Sequence, residues 1–235
     1  MTISLEKRTE NAQGAIISLL KKEQARGNDL GELTAQVVLA LDFSGSMDGR
    51  YRNREVQDLV ERALALSLSG LDDDGDIQTF FFHDGVFPPE VVNERNYQGF
   101  VDRWTRGKRM GATDYLPCIR SIRQYLAKNG MTRPGQPPVL VLFVTDGATA
   151  NERKIQQELV NASGDPVFWQ FMGLGYSPAF LEHLDTMGGR VLDNVGLFDV
   201  NNSQRLSDEE FYGKTIDEFF SKWLPAARAK GIVTS

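Results

Sequence analysis

The chain has 235 residues, 41% hydrophobic and 25% charged, which is the balance of an ordinary globular protein and excludes long disorder, a collagen-like repeat or a disulfide scaffold. Lys and Arg number 26 against 32 Asp and Glu, so a formal charge of -6 argues against nucleic acid as a partner. One cysteine, Cys118, excludes an intrachain disulfide or a multi-cysteine metal site and fits a reducing compartment, hence a cytoplasmic address.

Residues 4–26 repeat apolar side chains at helical spacing (Leu5, Ala12, Ile16, Leu19), with Ser4 as N-cap and Gly27 as stop. The apolar run 15–20 within them is too short for a signal-peptide core, and no run elsewhere is long enough to span a bilayer. Residues 34–41 are continuously apolar from Val37 onward, which is how a strand covered on both faces reads. A helix follows over 55–68. The run Asp72-Asp73-Asp74-Gly75-Asp76 lacks the remaining ligands of a calcium loop and reads as a solvated turn.

Strands are expected at 77–82, 138–144 and 167–172, with a weaker one at 190–195 and a short antiparallel edge strand at 85–87. Helices are expected at 96–105, 114–128, 151–160, 179–185 and 208–230. This alternation specifies an α/β, Rossmann-like, doubly wound and mostly parallel sheet with helices on both faces. With no linker or internal repeat, residues 1–235 read as one domain with a core at about 34–200, flanked by terminal helices at 4–26 and 208–230.

Ligands of such sheets bind beyond the carboxyl ends of the strands. Two buried-type strands end in aspartates, in Asp42-Phe43-Ser44-Gly45-Ser46 and Thr145-Asp146-Gly147, and Gly111-Ala112-Thr113-Asp114-Tyr115 opens a helix. In an extended turn alternate side chains share a face, so Asp42, Ser44 and Ser46 converge. Thr113 and Asp146 complete five hard oxygen donors with two negative charges. Such donors select Mg²⁺, Mn²⁺ or Ca²⁺, and a metal left partly uncompensated captures an outside carboxylate. Asp114 suits helix capping better than ligation.

Asp42-x-Ser44-x-Ser46, Thr113 and Asp146-Gly147 resemble the metal-ion-dependent adhesion site of von Willebrand factor A (VWA) domains, in the same order and strand context. The stretches 111–115 and 144–147 look most like the intracellular branch that includes copine-like domains and bacterial tellurium (toxic-anion) resistance proteins. The resemblance implies a noncatalytic module that binds protein partners through Mg²⁺. It further implies Ser44, Ser46 and Thr113 as direct ligands, with Asp42 and Asp146 often acting through water.

Two other readings compete. Asp42 as the nucleophile of a Mg²⁺-dependent phosphoryl-transfer enzyme is disfavoured, since Ser44 stands where a dehalogenase-type phosphatase needs a second aspartate and no nucleotide-phosphate loop is present. A scaffold in which the metal only stabilises the loops is the other. Seven cations (Arg50, Arg52, Arg54, Arg103, Arg106, Lys108, Arg109) lie on two loops expected to rim the metal, where they would steer an acidic ligand. His83 is expected as a turn histidine bonded to Asp84, and Cys118 as a buried small hydrophobe.

Overall fold

The computed structural model describes residues 3–28, 33–175, 179–200 and 206–233. Six strands form one sheet in the order β3-β2-β1-β4-β5-β6. They are β1 (Gln36–Asp42), β2 (Ile77–Phe82), β3 (Glu90–Val92), β4 (Val139–Thr145), β5 (Val167–Gly173) and β6 (Val195–Asp199). All neighbours pair in parallel except β3, which runs antiparallel to β2.

The strand period of two explains the unbroken apolar runs. Val37, Leu39 and Leu41 enter one buried layer with Leu140, Leu142 and Val144, while Val38 and Ala40 enter the other with Val141 and Phe143. The first layer is covered by α1 (Leu5–Ala25), α3 (Glu55–Leu66), α4 (Phe100–Thr105) and α8 (Asp208–Glu218), with the short α2 (Asp48–Arg52) at its edge. The second is covered by α5 (Tyr115–Lys128), α6 (Glu152–Asn161) and α7 (Ala179–Thr186). A π-type turn, Phe219–Trp223, carries α8 into α9 (Leu224–Ala229), which packs in the first layer.

Three segments differ from expectation. The edge strand is Glu90–Val92, not 85–87. Val86 makes one bridge to Phe82, then Pro88 and Pro89, which lack N–H donors, interrupt the ladder until Glu90 meets Thr79. The sixth strand starts only at Val195, because Val191 is 60% exposed and Asn194 spends its side chain on the Leu159 carbonyl. The helix expected at 96–105 forms only from Phe100, since Gly99 adopts a left-handed conformation (φ 59°) and residues before it turn instead.

The acidic run is solvated only in part. Asp72 is buried and accepts hydrogen bonds from Val37 N (2.9 Å) and Gln36 Nε2 (3.0 Å), tying the turn to the amino end of β1. Burial raises its pKa to about 6, with Asp74 and Asp73 adding repulsion. Asp72, Asp73 and Asp74 lie close together, but at the end of the sheet opposite to Asp42.

The N-terminal helix is anchored rather than free. Arg8 of α1 pairs with Asp58 of α3 and, at 3.2 Å, with Asp208 at the start of α8. Arg62 of α3 reaches the same two carboxylates at 3.1 and 3.4 Å and lies over the Phe211 ring. Two cations and two anions are thereby balanced in the joint of three helices.

Candidate functional site

Strand order reverses between β2-β1 and β4-β5, so the crevice of this sheet opens where β1 and β4 end. Asp42 is the last residue of β1, and Asp146 directly follows β4. The chain after Asp42 does not continue extended: Gly45–Met47 forms a 3₁₀ turn that leads into α2.

That turn brings the predicted oxygens together. Ser44 N donates to Asp42 Oδ1 at 2.8 Å, which locks the carboxylate onto its own loop. Ser44 Oγ and Ser46 Oγ lie 3.1 Å apart, and Ser46 Oγ donates to Asp146 Oδ1 at 2.7 Å across 100 residues of sequence. The loop carrying Thr113 is zipped to the same turn, with Gly45 N donating to Gly111 O at 3.0 Å and Ser44 bridged in parallel to Gly111. A Cβ built on Gly147 would meet Thr113 Oγ1 at 3.7 Å and Ser46 Oγ at 3.8 Å, so both hydroxyls face one spot. Asp42, Ser44, Ser46, Thr113 and Asp146 therefore lie together at the strand ends.

Asp42 is completely buried, and desolvation raises its pKa to about 6 despite hydrogen bonds from Thr145 and Ser44; the Asp146 charge adds to the rise. An oxygen-only donor set around a carboxylate that pays to ionise fits a hard divalent cation, which would restore the lost solvation.

Several contributors escaped the sequence reading. Thr145 Oγ1 donates to Asp42 Oδ2 at 2.6 Å, so the second carboxylate oxygen is held from β4. The signal was available, since a hydroxyl residue beside Asp42 at the end of a parallel neighbour is in reach. Tyr51 OH donates to the Asp42 carbonyl at 2.8 Å, and the Tyr115 hydroxyl donates to Gly147 O, bracing the two aspartate loops from opposite layers. Arg50 was expected on a cationic rim. Instead it turns inward, donating to Leu174 O at 2.6 Å and pairing with Glu55 at 2.9 Å and Asp146 at 3.6 Å.

The remaining rim cations also divide. Arg52 pairs with Asp48 at 2.7 Å, Arg103 donates to the Gln98 and Asn96 carbonyls, and Lys108 lies 4.4 Å over the Trp104 ring. Arg54, Arg106 and Arg109 are exposed. Asp114 caps α5, accepting from Leu116 N at 3.0 Å, as expected. His83 Nδ1 lies 2.5 Å from Asp84 and accepts from Gly85 N. Cys118 is buried.

Gly111 is sterically required. A Cβ there would stand 2.9 Å from His83 Cγ and 3.0 Å from Asp84 Oδ1. Gly111→Ala should push the Thr113 loop away from Ser44, lowering stability by about 1–3 kcal/mol. Guanidinium unfolding of the two proteins measures this, and an unchanged midpoint would show that the His83 turn yields without cost.

Comparisons with known proteins agree with this fold. Residues 34–233 match the family model vWA-TerF-like, described as the vWA found in the TerF C terminus. The chain is 34% identical over 239 residues to the Bacillus subtilis (strain 168) protein YcbR, covering 99% of this chain and 90% of that protein. Among solved structures, the proximal thread matrix protein 1 of the mussel byssus superposes with a TM-score of 0.54 at 15% identity over 79% of this chain. This chain spans 47% of the mussel protein, about half its length. The SpRpn10 VWA domain superposes with a TM-score of 0.50 at 12% identity, covering 71% of this chain and 88% of that domain. One form of the mussel protein is described with a zinc-occupied adhesion-site motif. At these identities the likeness shows the fold, whereas the family match covers most of the sequence: the chain belongs to the vWA-TerF-like family of von Willebrand factor A domains.

Proposed function

We propose that this chain is a noncatalytic interaction module in which Asp42, Ser44, Ser46, Thr113 and Asp146 hold a divalent cation that captures an acidic group of a protein partner. The observation that carries this reading is the buried Asp42 carboxylate joined, through Ser44, Ser46 and Asp146, to a continuous set of oxygens at the strand ends. Ser44, Ser46 and Thr113 would contact the ion, with Asp42 and Asp146 compensating its charge directly or through water. Two carboxylates and three neutral hydroxyls leave the ion electron-poor enough to take a carboxylate from outside. Hard oxygens favour Mg²⁺, with Mn²⁺ or Ca²⁺ as substitutes. The zinc described for the mussel protein is a property of that protein's motif.

The phosphoryl-transfer alternative loses ground on geometry. Both Asp42 oxygens already accept hydrogen bonds, from Ser44 N and the Thr145 hydroxyl, an arrangement that suits a carboxylate fixed in place better than a free nucleophile. Resemblance to the tellurium-resistance branch, with which the family match agrees, supports a role in a bacterial toxic-anion or stress response. The single cysteine, which needs no oxidising compartment, supports a cytoplasmic location. Among the described residues no helix is long and apolar enough to cross a membrane. Residues 1–235 would act as one unit, since α1 is pinned to α3 and α8.

Calorimetric titration with MgCl₂ tests the site. Saturating Mg²⁺ should raise the melting temperature by about 5–10 °C, from roughly 3 kcal/mol of linkage at a hundredfold excess over Kd. Ser44→Ala and Thr113→Ala should each remove most of that shift while staying folded. No heat and no shift with Mg²⁺, Mn²⁺ or Ca²⁺ would defeat the proposal, and phosphatase turnover abolished by Asp42→Asn would replace it with the enzyme.

A further inference from the structure

A groove of about 500 Å³ runs beside the candidate metal site, between α2, α4 and the segment leading to Thr113. None of the five oxygen-bearing residues lines it, but the chain segments that carry Asp42, Ser44 and Thr113 do. Phe43, which stands between Asp42 and Ser44 in the chain, lies at its base, and Met110, which precedes Gly111, forms one side. The base is stiff: the Phe43 ring packs edge-on against Tyr51 at 5.2 Å and Trp104 at 5.1 Å, and Tyr51 is tethered to the Asp42 carbonyl. The apolar lining is continued by Val101.

The rim is charged. Arg52, Lys108 and Arg109 border the groove, against Asp48 and Asp102. Asp48 is already paired with Arg52, and Lys108 is seated on Trp104, which leaves Arg109 as the exposed cation with the least committed charge. Arg106, three residues earlier and equally exposed, does not line the groove.

Accepting the metal-dependent reading above, we propose that this groove recognises the residues next to the partner's metal-binding carboxylate. An aromatic or large aliphatic side chain enters against Phe43, Tyr51 and Met110, and a second acidic residue meets Arg109. The partner is thus an acidic protein segment with an aromatic or aliphatic anchor close to its metal-binding Asp or Glu. An open groove with an apolar base suits a side chain rather than a simple anion, and a net-negative chain with a local cationic rim selects an acidic partner over nucleic acid.

The test uses the full chain, immobilised, and a displayed library of seven-residue peptides with a fixed central Asp and random flanks, selected in MgCl₂ and eluted with EDTA. Enrichment of Phe, Tyr, Trp or Leu within three residues of the fixed Asp, with added Asp or Glu beyond, is expected. A peptide of that consensus should bind Arg109→Glu about tenfold more weakly and Arg106→Glu less than about twofold more weakly, because only Arg109 touches the groove. Thr105→Trp, which fills the groove from its rim, should abolish the aromatic preference while leaving the heat of Mg²⁺ binding unchanged. Mg²⁺-dependent peptides without either enrichment would overturn the proposal, as would equal weakening by Arg106→Glu and Arg109→Glu. Mg²⁺ heat without any Mg²⁺-dependent peptide overturns the groove assignment alone. Absence of Mg²⁺ heat overturns the metal reading beneath it.

Discussion

Asp208→Ala is expected to destabilise the protein by about 3–5 kcal/mol, since removing one partner of a buried ion cluster leaves an uncompensated charge. Asp208 faces Arg8 at 3.2 Å and Arg62 at 3.4 Å, and all three side chains are nearly or fully buried. Without it, two guanidinium groups would share Asp58 alone, and α1 would keep only the exposed Lys22–Asp217 pair as an ionic tie to α8. Urea unfolding of wild type and variant measures the loss. A second variant separates charge balance from simple packing. Arg8→Met combined with Asp208→Leu removes one charge of each sign and leaves Arg62 paired with Asp58, so it should recover most of the loss. A deficit below 1 kcal/mol for Asp208→Ala would mean that water reaches the joint and solvates the arginines.

Asp42→Asn should show opposite effects with and without metal. In EDTA at pH 8 it is expected to melt above wild type, because the Asp42 pKa near 6 in the folded protein exceeds its ordinary value of 3.8. The folded state therefore binds the Asp42 proton more tightly than the unfolded chain does. Stability from this group is greatest below pH 4, falls as pH rises to about 6, and stays low above. The full difference amounts to at most about 3 kcal/mol. An asparagine retains an oxygen for Ser44 N and an amide toward Thr145, so part of that cost is recovered. In saturating MgCl₂ the order should reverse, since only wild type gains metal linkage. Melting curves at pH 4.5 and 8, with and without Mg²⁺, give the four values. A variant less stable than wild type in EDTA at pH 8 would show that the ionised carboxylate is well solvated without metal.

The two predictions concern different kinds of information. The two aspartates of the candidate site were readable because a β-strand ends where its apolar run ends. Asp42 and Asp146 mark the ends of β1 and β4, and alternate positions after Asp42 carry hydroxyls. The parallel, doubly covered sheet was legible for the same reason, as unbroken apolar stretches at 37–41 and 139–144 have no solvent face to advertise. Weak elements were not. The displacement of the edge strand to Glu90–Val92 depended on where two prolines interrupt a ladder, and the shift of β6 to Val195–Asp199 depended on the side-chain bond of one asparagine.

By itself, then, the sequence determined the sheet and its two apolar layers and placed Asp42 and Asp146 at its carboxyl end, because these follow from short-range periodicity; the 3₁₀ turn after Asp42 and the bridge from Ser44 to Gly111 gather Ser46 and Thr113 beside them. Tertiary structure alone decided how charged side chains are spent. Arg50 reads as a rim cation until β5 brings Leu174 O within 2.6 Å and draws it inward; Arg8 and Asp208, 200 residues apart, meet only after three helices pack. An apolar side chain gains from any dry surface, so its pattern suffices. A charge is stabilised only by a particular partner at a few ångströms, and that partner's position in the chain is unconstrained by spacing.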